Sequence, residues 1–432
     1  MNPYLVIVLA VLAGKCLLDF LVETLNLRRF DPDLPPEFRG FYDPEKYRRA
    51  RDYLRDTTRL GLAAGLAVTA LTAAFILLGG FGRLDAVARA GAEGEVFRGL
   101  IFAGLVFLLA SLVNIPFSAY RTFGIEEKYG FNRTTAATFV LDILKSWALA
   151  AILGGVVLAA VIRLFASAGP GAWLICWAAV GLFQLFVLFI APVTVMPLFN
   201  RFAALEEGEL KERIEEYLRR EGMAVRGVFT MDASRRSGKS NAFFTGFGRF
   251  RRIVLYDTLI ENHSADEILA VIAHETGHYR LGHIPKNVAV ALLSTGLMFF
   301  ILSRFITSRP LFAAFGVERI SIGAGIVFFA FLYAPIDLAV SLFGNFLSRR
   351  FEYRADEFAG RTIGKPEAMI LALKKLAVDN LAPLTPHPLK VFFSYRHPPV
   401  LSRIRRLESG APRPPAASPP ANGRGRASPI RR

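Results

Sequence analysis

Long apolar runs separated by shorter polar segments dominate the pattern of this 432-residue chain. A helix needs about 20 apolar residues to cross a bilayer. Seven runs reach that length, and they lie at residues 4–25, 60–81, 99–120, 141–165, 172–197, 287–308 and 321–345. The pattern predicts a mainly α, polytopic membrane protein with about seven transmembrane helices.

The polar stretch at residues 198–286 has the pattern of a small α+β domain. "LEEGELKERIEEYLRREGM" has helical spacing, whereas "GVFTMDAS" and "RRIVLYDTLI" have the pattern of short strands around "NAFFTGFGRF". "SADEILAVIAHETGHYRLGH" predicts a helix with Ser264 as its N-cap and Glu267 completing a capping box.

The whole chain divides into five predicted regions. They are five membrane helices with cytoplasmic loops (1–197), the α+β domain (198–286), two membrane helices (287–345), a helical and carboxyl-terminal segment (346–408) and a disordered basic tail (409–432).

Lysine and arginine are concentrated in alternate connecting segments. The rich segments are residues 27–58, 121–138, 198–286 and the part after 346, and the poor ones are 82–98, 166–171 and 309–320. With seven spans, all the rich segments fall on one side of the membrane. The positive-inside rule makes that side the cytoplasm and places the amino terminus outside.

Composition excludes two other classes of protein. The net charge is +16, but the basic residues flank apolar runs and form no stripe interleaved with base-stacking aromatics, so no nucleic-acid partner is expected. The two cysteines, Cys16 and Cys176, each lie inside an apolar run. A thiolate zinc site or a disulfide framework is therefore not expected, and we interpret both as buried, inert thiols.

Charged residues inside the apolar runs are costly in a bilayer and need partners. Lys15 and Asp19 are four residues apart, and Asp142 and Lys145 are three apart. Both spacings allow local pairing on one helical face. The sequence therefore predicts two local ion pairs, and the alternative is that these residues line a watery cavity.

The segment "VIAHETGH", residues 271–278, places His274 and His278 four apart with Glu275 between them. On a helix the two imidazoles share a face and can bind one metal ion, while Glu275 can reach a water molecule without ligating the metal. A zinc ion makes such a water acidic enough for a carboxylate to take its proton. The alternative is a chance match on an interfacial helix. His283, five residues further, points off this face and is interpreted as an interfacial histidine.

A catalytic zinc needs a third protein ligand. "SRRFEYRADEFAGR" offers Glu352 and Asp356, again four apart. Glu352 can ligate the metal, and Asp356 can accept the N–H of a ligating imidazole and so set its tautomer. Two predicted spans separate the two motifs, so both return to the same side of the membrane. The alternative is a solvated, charged helix face.

Further segments extend this pattern: "EEKYGFNRTT" (126–135), "VMPLFNRF" (195–202), "SNAFFTGFGRFRRIVLYDTLI" (240–260) and "YRHPPVLSRI" (395–404). With the two motifs above, in this order, they resemble the integral-membrane zinc CAAX prenyl proteases from residue 1 to about 408. The resemblance implies a zinc metalloprotease domain with one Zn²⁺ per chain, bound by His274, His278 and Glu352. It implies Glu275 as general base, Asp356 as the carboxylate that accepts the N–H of a ligating histidine, and His397 as a stabiliser of the oxyanion. From the residues alone, His397 could equally be a packed or exposed histidine.

Substrate binding has its own candidate segment. Residues 241–248 could form an edge strand beside the metal, to which an extended peptide adds its backbone, with Asn241, Ala242 and Phe243 as the contact residues. An ordinary hairpin strand is the alternative. The resemblance implies a peptide or protein substrate with an isoprenylated CAAX tail, presented at the membrane lipid and cut to release its last three residues.

Two positions depart from the family pattern. Lys239 stands where the family often has histidine, and Arg396 stands where it commonly has Ser or Thr. Both put the eukaryotic substrate preference in doubt, and a broad membrane-protein quality-control protease is the alternative function. The site is expected on the cytoplasmic side, of the inner membrane in a bacterium or of the endoplasmic reticulum in a eukaryote. A transporter is disfavoured because all six histidines lie outside the predicted spans, and an inactive scaffold because Glu275 and the ligands are retained.

Overall fold

The computed structural model describes residues 2–30, 33–246 and 251–410. Its helices are α1 (Pro3–Arg28), α2 (Pro44–Leu77), α3 (Gly80–Gly91), α4 (Glu95–Ala119), α5 (Ala136–Leu149), α6 (Gly155–Ser167), α7 (Ala172–Thr194), α8 (Glu209–Arg220), α9 (Asp257–Asn262), α10 (Ala265–Arg280), α11 (His283–Phe305), α12 (Arg309–Ala314), α13 (Ile322–Ile363), α14 (Pro366–Asp379), α15 (Pro388–Ser394) and α16 (Val400–Gly410). Its strands are β1 (Phe202–Ala204), β2 (Gly227–Met231), β3 (Ala242–Thr245) and β4 (Arg252–Tyr256).

Seven helical stretches among the described residues are long and apolar enough to cross a membrane. They are Pro3–Arg28, Pro44–Leu77, Glu95–Glu126, Ala136–Ser167, Gly169–Leu198, His283–Phe305 and Ile322–Ile363. Large apolar side chains on their outer faces, such as Leu182, Phe186 and Leu293, are more than half exposed, which suits contact with lipid. The predicted fold class, a mainly α membrane protein with seven spans, is confirmed.

Helix α13 extends well beyond the apolar run that predicted it. The run ends at residue 345, but the helix continues to Ile363 and contains 42 residues, a length of about 60 Å. Glu352 and Asp356 therefore lie on the same continuous helix as the seventh span. A single continuous helix thus connects the membrane part with the candidate site.

Two glycines allow α13 to approach the membrane bundle closely. A Cβ added at Gly323 of α13 would lie 2.3 Å from the Cα of Gly99 in α4. Only hydrogen fits at this crossing, so the two backbones are in direct contact, as small residues permit between membrane helices. The crossing fixes the position of α13 relative to α4.

The described strands form one sheet in the order β1-β2-β4-β3. β1 is antiparallel to β2, β2 is parallel to β4, and β3 is antiparallel to β4. β3 is therefore an edge strand, as the edge-strand interpretation requires, and β1 is a strand that the sequence pattern did not predict. Of the candidate stretch 241–248, residues 247 and 248 lie outside the described part of the chain.

The α+β domain is held by one apolar core. Ile214 of α8, Leu255 of β4, Ile272 of α10, Leu373 of α14 and Ile404 of α16 are all buried in it. These elements come from sequence positions almost 200 residues apart, so the domain includes the carboxyl-terminal helices as well as residues 198–286. α16 itself runs to Gly410 and so includes the first two residues of the predicted tail, and the rest of the predicted tail lies outside the described residues.

The expected local ion pairs had mixed outcomes. Lys15 Nζ binds Asp19 Oδ2 at 2.6 Å, as predicted. The prediction for Asp142 was wrong, because this carboxylate accepts from Arg236 Nε and Nη2 at 2.9 and 3.1 Å. Lys145 instead donates to the carbonyl of Leu198 at 2.8 Å. Asp142 thus ties the membrane helix α5 to the segment that leads into β3. The distant Arg236 donates two hydrogen bonds to its carboxylate, where the neighbouring Lys145 would donate one.

Both cysteines are free thiols. Cys176 is buried, as expected, whereas Cys16 is only half-buried on α1. The interpretation as a buried thiol therefore holds for Cys176 and was wrong for Cys16, since one side of α1 faces an open cavity.

Candidate metal centre and active site

The helix that carries the His-Glu pair begins as the sequence predicts. Ser264 Oγ accepts a hydrogen bond from the backbone N–H of Glu267, and Glu267 Oε2 accepts one from the N–H of Ser264 at 3.0 Å. This capping box satisfies two backbone donors at the first turn of α10. Lys375 of α14 also binds the Glu267 carboxylate at 2.8 Å. The start of α10 is therefore fixed both within the helix and to a neighbouring helix.

Close packing between α10 and α13 brings the two motifs together. A Cβ added at Gly277 would lie 3.1 Å from the Cα of Ala355, 3.2 Å from its carbonyl oxygen and 3.2 Å from the Cβ of Phe358. The glycine lies between His274 and His278, and Ala355 lies between Glu352 and Asp356. The helices therefore touch at the level of the candidate ligands.

His274, His278 and Glu352 converge on one point. Their nitrogen and oxygen ligand atoms all lie within 4.8 Å of one another. Glu352 Oε2 is 3.4 Å from His274 Nε2, Glu352 Oε1 is 3.2 Å from His278 Nε2, and the two Nε2 atoms are 3.1 Å apart. The predicted set of two imidazoles and a carboxylate is thus assembled across two helices.

The donor set fits a divalent metal ion. Two imidazole nitrogens and one carboxylate oxygen are a known ligand combination for catalytic zinc, with a further coordination position left for water or substrate. Glu352 Oε2 is buried and has no partner in hydrogen-bond geometry among the described residues, although His274 Nε2 and His397 Nδ1 lie 3.4 and 2.9 Å from it. An unsatisfied carboxylate oxygen in a buried site is costly unless a cation balances it.

Asp356 lies against the imidazole of His274, the first candidate ligand. His274 Nδ1 lies 2.8 Å from Asp356 Oδ1, so a proton on Nδ1 leaves Nε2 free to bind a metal. Burial alone would lower the pKa of His274, but hydrogen bonds to Asp356 and Glu352 outweigh it and raise the pKa to about 9. The two carboxylates thus hold a proton on this imidazole in the absence of a metal.

Arg403 is a member of the site that the sequence interpretation missed. Its guanidinium donates to both oxygens of Asp356, at 2.8 Å from Nε and 2.6 Å from Nη2, and lies 3.7 Å from Glu352 Oε2. Burial opposes the charge on Arg403, but Asp356 outweighs it and raises the pKa of the guanidinium. One feature of the sequence could have pointed to Arg403. It is a charged residue on the apolar stripe of α16, between Val400 and Leu407.

His283 was wrongly interpreted as an interfacial histidine. Its side chain is buried, and its ring stacks on Phe351 with centroids 4.1 Å apart. Its Nδ1 lies 3.0 Å from His278 Nδ1. A protonated His278 Nδ1 can donate to this nitrogen, which leaves His278 Nε2 for a metal. Gly282 has a φ of 65° and forms a tight turn after α10. This turn reverses the chain, so His283 reaches His278 although it does not lie on the face of α10 that carries the two histidines.

His397 is brought to the metal ligands from the carboxyl-terminal segment. Its Nδ1 lies 2.9 Å from Glu352 Oε2, and its side chain is 68% exposed. α13 holds this segment, because Arg349 Nη1 donates to the carbonyls of Val391 and Tyr395 at 3.1 and 2.7 Å. One helix therefore supplies Glu352 and also positions the backbone that presents His397.

The candidate substrate segment lies at the free edge of the sheet. The carbonyl of Asn241 accepts from the N–H of Tyr256 in β4 at 3.1 Å. In the antiparallel pairing the backbone groups of Phe243 therefore also face β4, while those of Ala242 point to the open side. Asn241 Oδ1 accepts from the N–H of Ala242 at 2.9 Å, and the carbonyl of Ala242 faces the open side. Glu275 of α10 is half-buried, and α10 packs against β3.

The two departures from the family pattern occupy different environments. Lys239 Nζ binds Glu126 Oε2 at 3.1 Å and the hydroxyl of Tyr53 at 2.8 Å, and lies 4.6 Å from the ring centre of Phe131. It thus connects the start of the substrate segment to loops and helices of the membrane part. Arg396 is exposed beside His397.

A bundle of seven membrane-length helices that carries a His-Glu-x-x-His helix and a facing glutamate defines a membrane metallopeptidase. Two family models match the chain: "CAAX prenyl protease N-terminal, five membrane helices" at residues 23–201 and "Peptidase family M48" at residues 204–411. The chain therefore belongs to the CAAX prenyl protease group of peptidase family M48. As a metallopeptidase of this family it uses a metal ion and acts on peptide or protein substrates.

Named relatives cover nearly the whole chain. CAAX prenyl protease 1 homologues of Oryza sativa and Homo sapiens are 34% and 31% identical, over 94% and 87% of this chain and 97% and 89% of theirs. CAAX prenyl protease 1 of Saccharomyces cerevisiae is 31% identical over 92% of this chain and 94% of its own. The crystal structure of S. mikatae Ste24p superposes with a TM-score of 0.90 at 29% identity, covering 94% of this chain and all of that one.

Proposed function

We propose that the metal is zinc, one ion per chain, and that the protein is an endopeptidase that cuts membrane-presented substrates near their carboxyl end. The observation that carries this proposal is the convergence of His274, His278 and Glu352 within 4.8 Å, with Glu275 next to a ligand. The names of the relatives support isoprenylated CAAX proteins as the substrate class. Release of the last three residues is part of the proposal and follows the resemblance in the motifs.

The protein side chains have distinct roles in the proposed hydrolysis. Bound zinc would act as a Lewis acid that makes water acidic and polarises the scissile carbonyl. Glu275 accepts the proton that the attacking water loses and delivers it to the leaving amine as the carbon–nitrogen bond breaks. Asp356, held by Arg403, keeps the proton of His274 on Nδ1. Each group is positioned by a helix, which suits a preorganised site.

Substrate binding and charge stabilisation come from two other elements. An extended peptide adds to the open edge of β3, with Asn241, Ala242 and Phe243 as the nearest residues. The exposed ring of His397 donates a hydrogen bond to the substrate carbonyl oxygen as negative charge develops on it. His397 is suited to this role because its side chain is open to the space in front of Glu352.

We place the site on the cytoplasmic side of the membrane because the arginine-rich segments, including both metal-binding motifs, fall on one side. The membrane is the inner membrane in a bacterium or the endoplasmic reticulum in a eukaryote. Lipid surrounds the apolar helix faces, and no nucleic-acid partner is proposed.

The test is peptide cleavage by purified protein in detergent, with Glu275→Gln beside wild type and Glu357→Gln as a matched control. Glu357 lies on α13 and pairs with Arg406 away from the ligands. We expect Glu275→Gln to lose at least about a hundredfold in rate and the control to keep its activity. Equal rates for wild type and Glu275→Gln would refute the role of Glu275. Equal cleavage of farnesylated and unmodified peptides would favour a broad quality-control protease.

A further inference from the structure

The segment that leads into β3 is paired with a loop of the membrane part. This loop, residues 127–135, follows the third membrane-length stretch. The N–H of Gly238 donates to the carbonyl of Phe131, and the N–H of Arg133 donates to the carbonyl of Arg236, both at 3.1 Å. The two segments form an antiparallel bridge, so the chain that enters β3 is already attached to the membrane part.

The side chain of Lys239 strengthens this attachment with a charge. Its Nζ lies 3.1 Å from Glu126 Oε2 and donates to the Tyr53 hydroxyl at 2.8 Å, and that hydroxyl donates to Glu126 Oε1 at 2.8 Å. The ring centres of Phe131 and Tyr53 lie 4.6 and 5.1 Å from Nζ. Arg121 also approaches Glu126, at 3.7 Å, but is 62% exposed. Because Glu126 is only 16% exposed, water and salt screen its pair with Lys239 less than a surface pair.

Little chain separates Lys239 from the strand that would bind substrate. β3 starts at Ala242, and Asn241 is already fixed, because its carbonyl accepts from the N–H of Tyr256 at 3.1 Å. The carbonyl of Lys239 accepts from Thr258 Oγ1 at 3.0 Å. Two residues of extended chain span about 7 Å. A displacement of the lysine is therefore passed on to Asn241 and Ala242.

One helical stretch holds both the lysine and the helix that carries the third candidate ligand. The stretch Glu95–Glu126 crosses α13 at Gly99, where a Cβ added at Gly323 would touch the backbone of Gly99. About 40 Å further along, the last residue of the stretch binds Lys239. Glu352 lies a similar distance, also about 40 Å, along α13 from Gly323. The positions of the lysine and of the ligand are therefore both set from the same helix crossing.

We infer that Lys239 is a positioning residue, which through Glu126 holds the edge of β3 at the distance from the metal ligands that hydrolysis needs. This rests on the proposed function, in which an extended peptide pairs with β3. The scissile carbonyl then lies where the strand places it, and a shift of about 1 Å can cost about a hundredfold in rate. Lys239 acts only through the strand, since the candidate metal ligands belong to α10 and α13.

The experiment measures kcat and KM for a farnesylated peptide and for the same peptide unmodified, using purified protein in detergent, with zinc content from elemental analysis. Lys239→Met keeps the length and the apolar stem of the side chain but removes its charge. We expect kcat/KM for whichever peptide wild type cuts to fall by at least about tenfold, chiefly through kcat, while zinc stays at about one ion per chain. Lys239→Arg keeps the charge and should recover most of the loss.

Glu126→Gln tests the other partner of the ion pair. It should lower kcat by a similar factor, and it keeps an acceptor for the Tyr53 hydroxyl, so it serves even if Lys239→Met folds poorly. The double variant Lys239→Met with Glu126→Gln should be no worse than either single variant, because both changes break the same contact.

Lys128→Met is the matched control. Lys128 lies two residues after Glu126 and pairs with Asp56 of α2 at 2.7 Å, so it ties the loop to a membrane helix and not to the segment before β3. Its kcat/KM should stay within roughly twofold of wild type. The inference is overturned if Lys239→Met and Glu126→Gln both keep the wild-type kcat, if Lys128→Met lowers kcat as much, or if activity is lost only in proportion to zinc. Failure of wild type to cut either peptide would instead refute the proposed function, and the inference with it.

Discussion

Arg403 and Asp356 form a buried ion pair with two hydrogen bonds, from Nε to Oδ2 at 2.8 Å and from Nη2 to Oδ1 at 2.6 Å. Asp356 in turn contacts His274, so the guanidinium acts on a candidate metal ligand through the carboxylate. Breaking a buried pair by removing one partner costs about 3–5 kcal/mol, because the other charge stays buried. Arg403 is therefore expected to matter for both stability and metal binding.

We expect Arg403→Ala to lower the melting temperature and to weaken zinc affinity by about 10- to 100-fold. The measurements are thermal unfolding in detergent and competition with a zinc chelator. Arg406→Ala is the matched control on α16, because Arg406 is 52% exposed and pairs at 2.8 Å with Glu357, which is 47% exposed. Such a pair contributes about 0–1 kcal/mol, so the control should behave nearly as wild type. An Arg403→Ala protein with unchanged zinc affinity would show that Asp356 orients His274 unaided.

The third ligand can be tested without any activity measurement. Glu352→Ala should lose zinc, measured by elemental analysis of the purified protein, because two imidazoles alone leave the ion without its carboxylate. Glu357→Ala, on the same helix but 47% exposed, should retain about one zinc per chain. Full zinc content in Glu352→Ala would mean that another side chain completes the site.

His283 should strengthen metal binding through its contact with His278. Replacing it by alanine removes the acceptor for His278 Nδ1 and the ring that stacks on Phe351. We expect zinc affinity to fall by about 10- to 100-fold, measured by chelator competition. His283→Asn places an acceptor of similar reach there and should recover part of the loss. Equal affinities for the alanine and asparagine variants would indicate that packing, and no hydrogen bond, is responsible.

Gly277 should be intolerant of a larger side chain because α10 and α13 touch there. In Gly277→Ala the new methyl would lie 3.1 Å from the Cα of Ala355, and the helices would have to separate. Overpacking of this kind costs about 1–3 kcal/mol, and the separation would also pull Glu352 away from the two histidines. We expect a lower melting temperature together with reduced zinc content.

The matched control is Gly360→Ala in α13, where the new methyl would lie 3.6 Å from the Cβ of Pro366, an ordinary contact. Alanine is the better helix former, so this change should be neutral or stabilising by up to about 1 kcal/mol. If Gly277→Ala and Gly360→Ala had the same effect, close packing at Gly277 would not be what assembles the site.

The pattern along the chain determined the elements whose signals are local. Seven apolar runs predicted seven spans, and the Ser264 capping box predicted the start of α10, because span length and capping depend on nearby residues. The spacing of His274 and His278 likewise placed two ligands on one helical face. Glu352 was linked to them by the predicted topology, which returns both motifs to one side of the membrane, and by the resemblance, since no periodicity relates residues more than 70 positions apart.

Tertiary structure decided every relationship between distant segments. Arg403 reaches Asp356 across 47 positions, and Asn380 reaches Ser240 across 140. Neither contact leaves a period in the sequence, because both depend on how helices pack. Asp142 also shows that local spacing does not decide long-range contacts. The spacing favoured Lys145 as its partner, but the packing of the helices placed the two donors of Arg236 against it. Local periodicity is set by the backbone geometry of one helix or strand, whereas a polar contact between elements is set by a crossing such as that of Gly277 with Ala355.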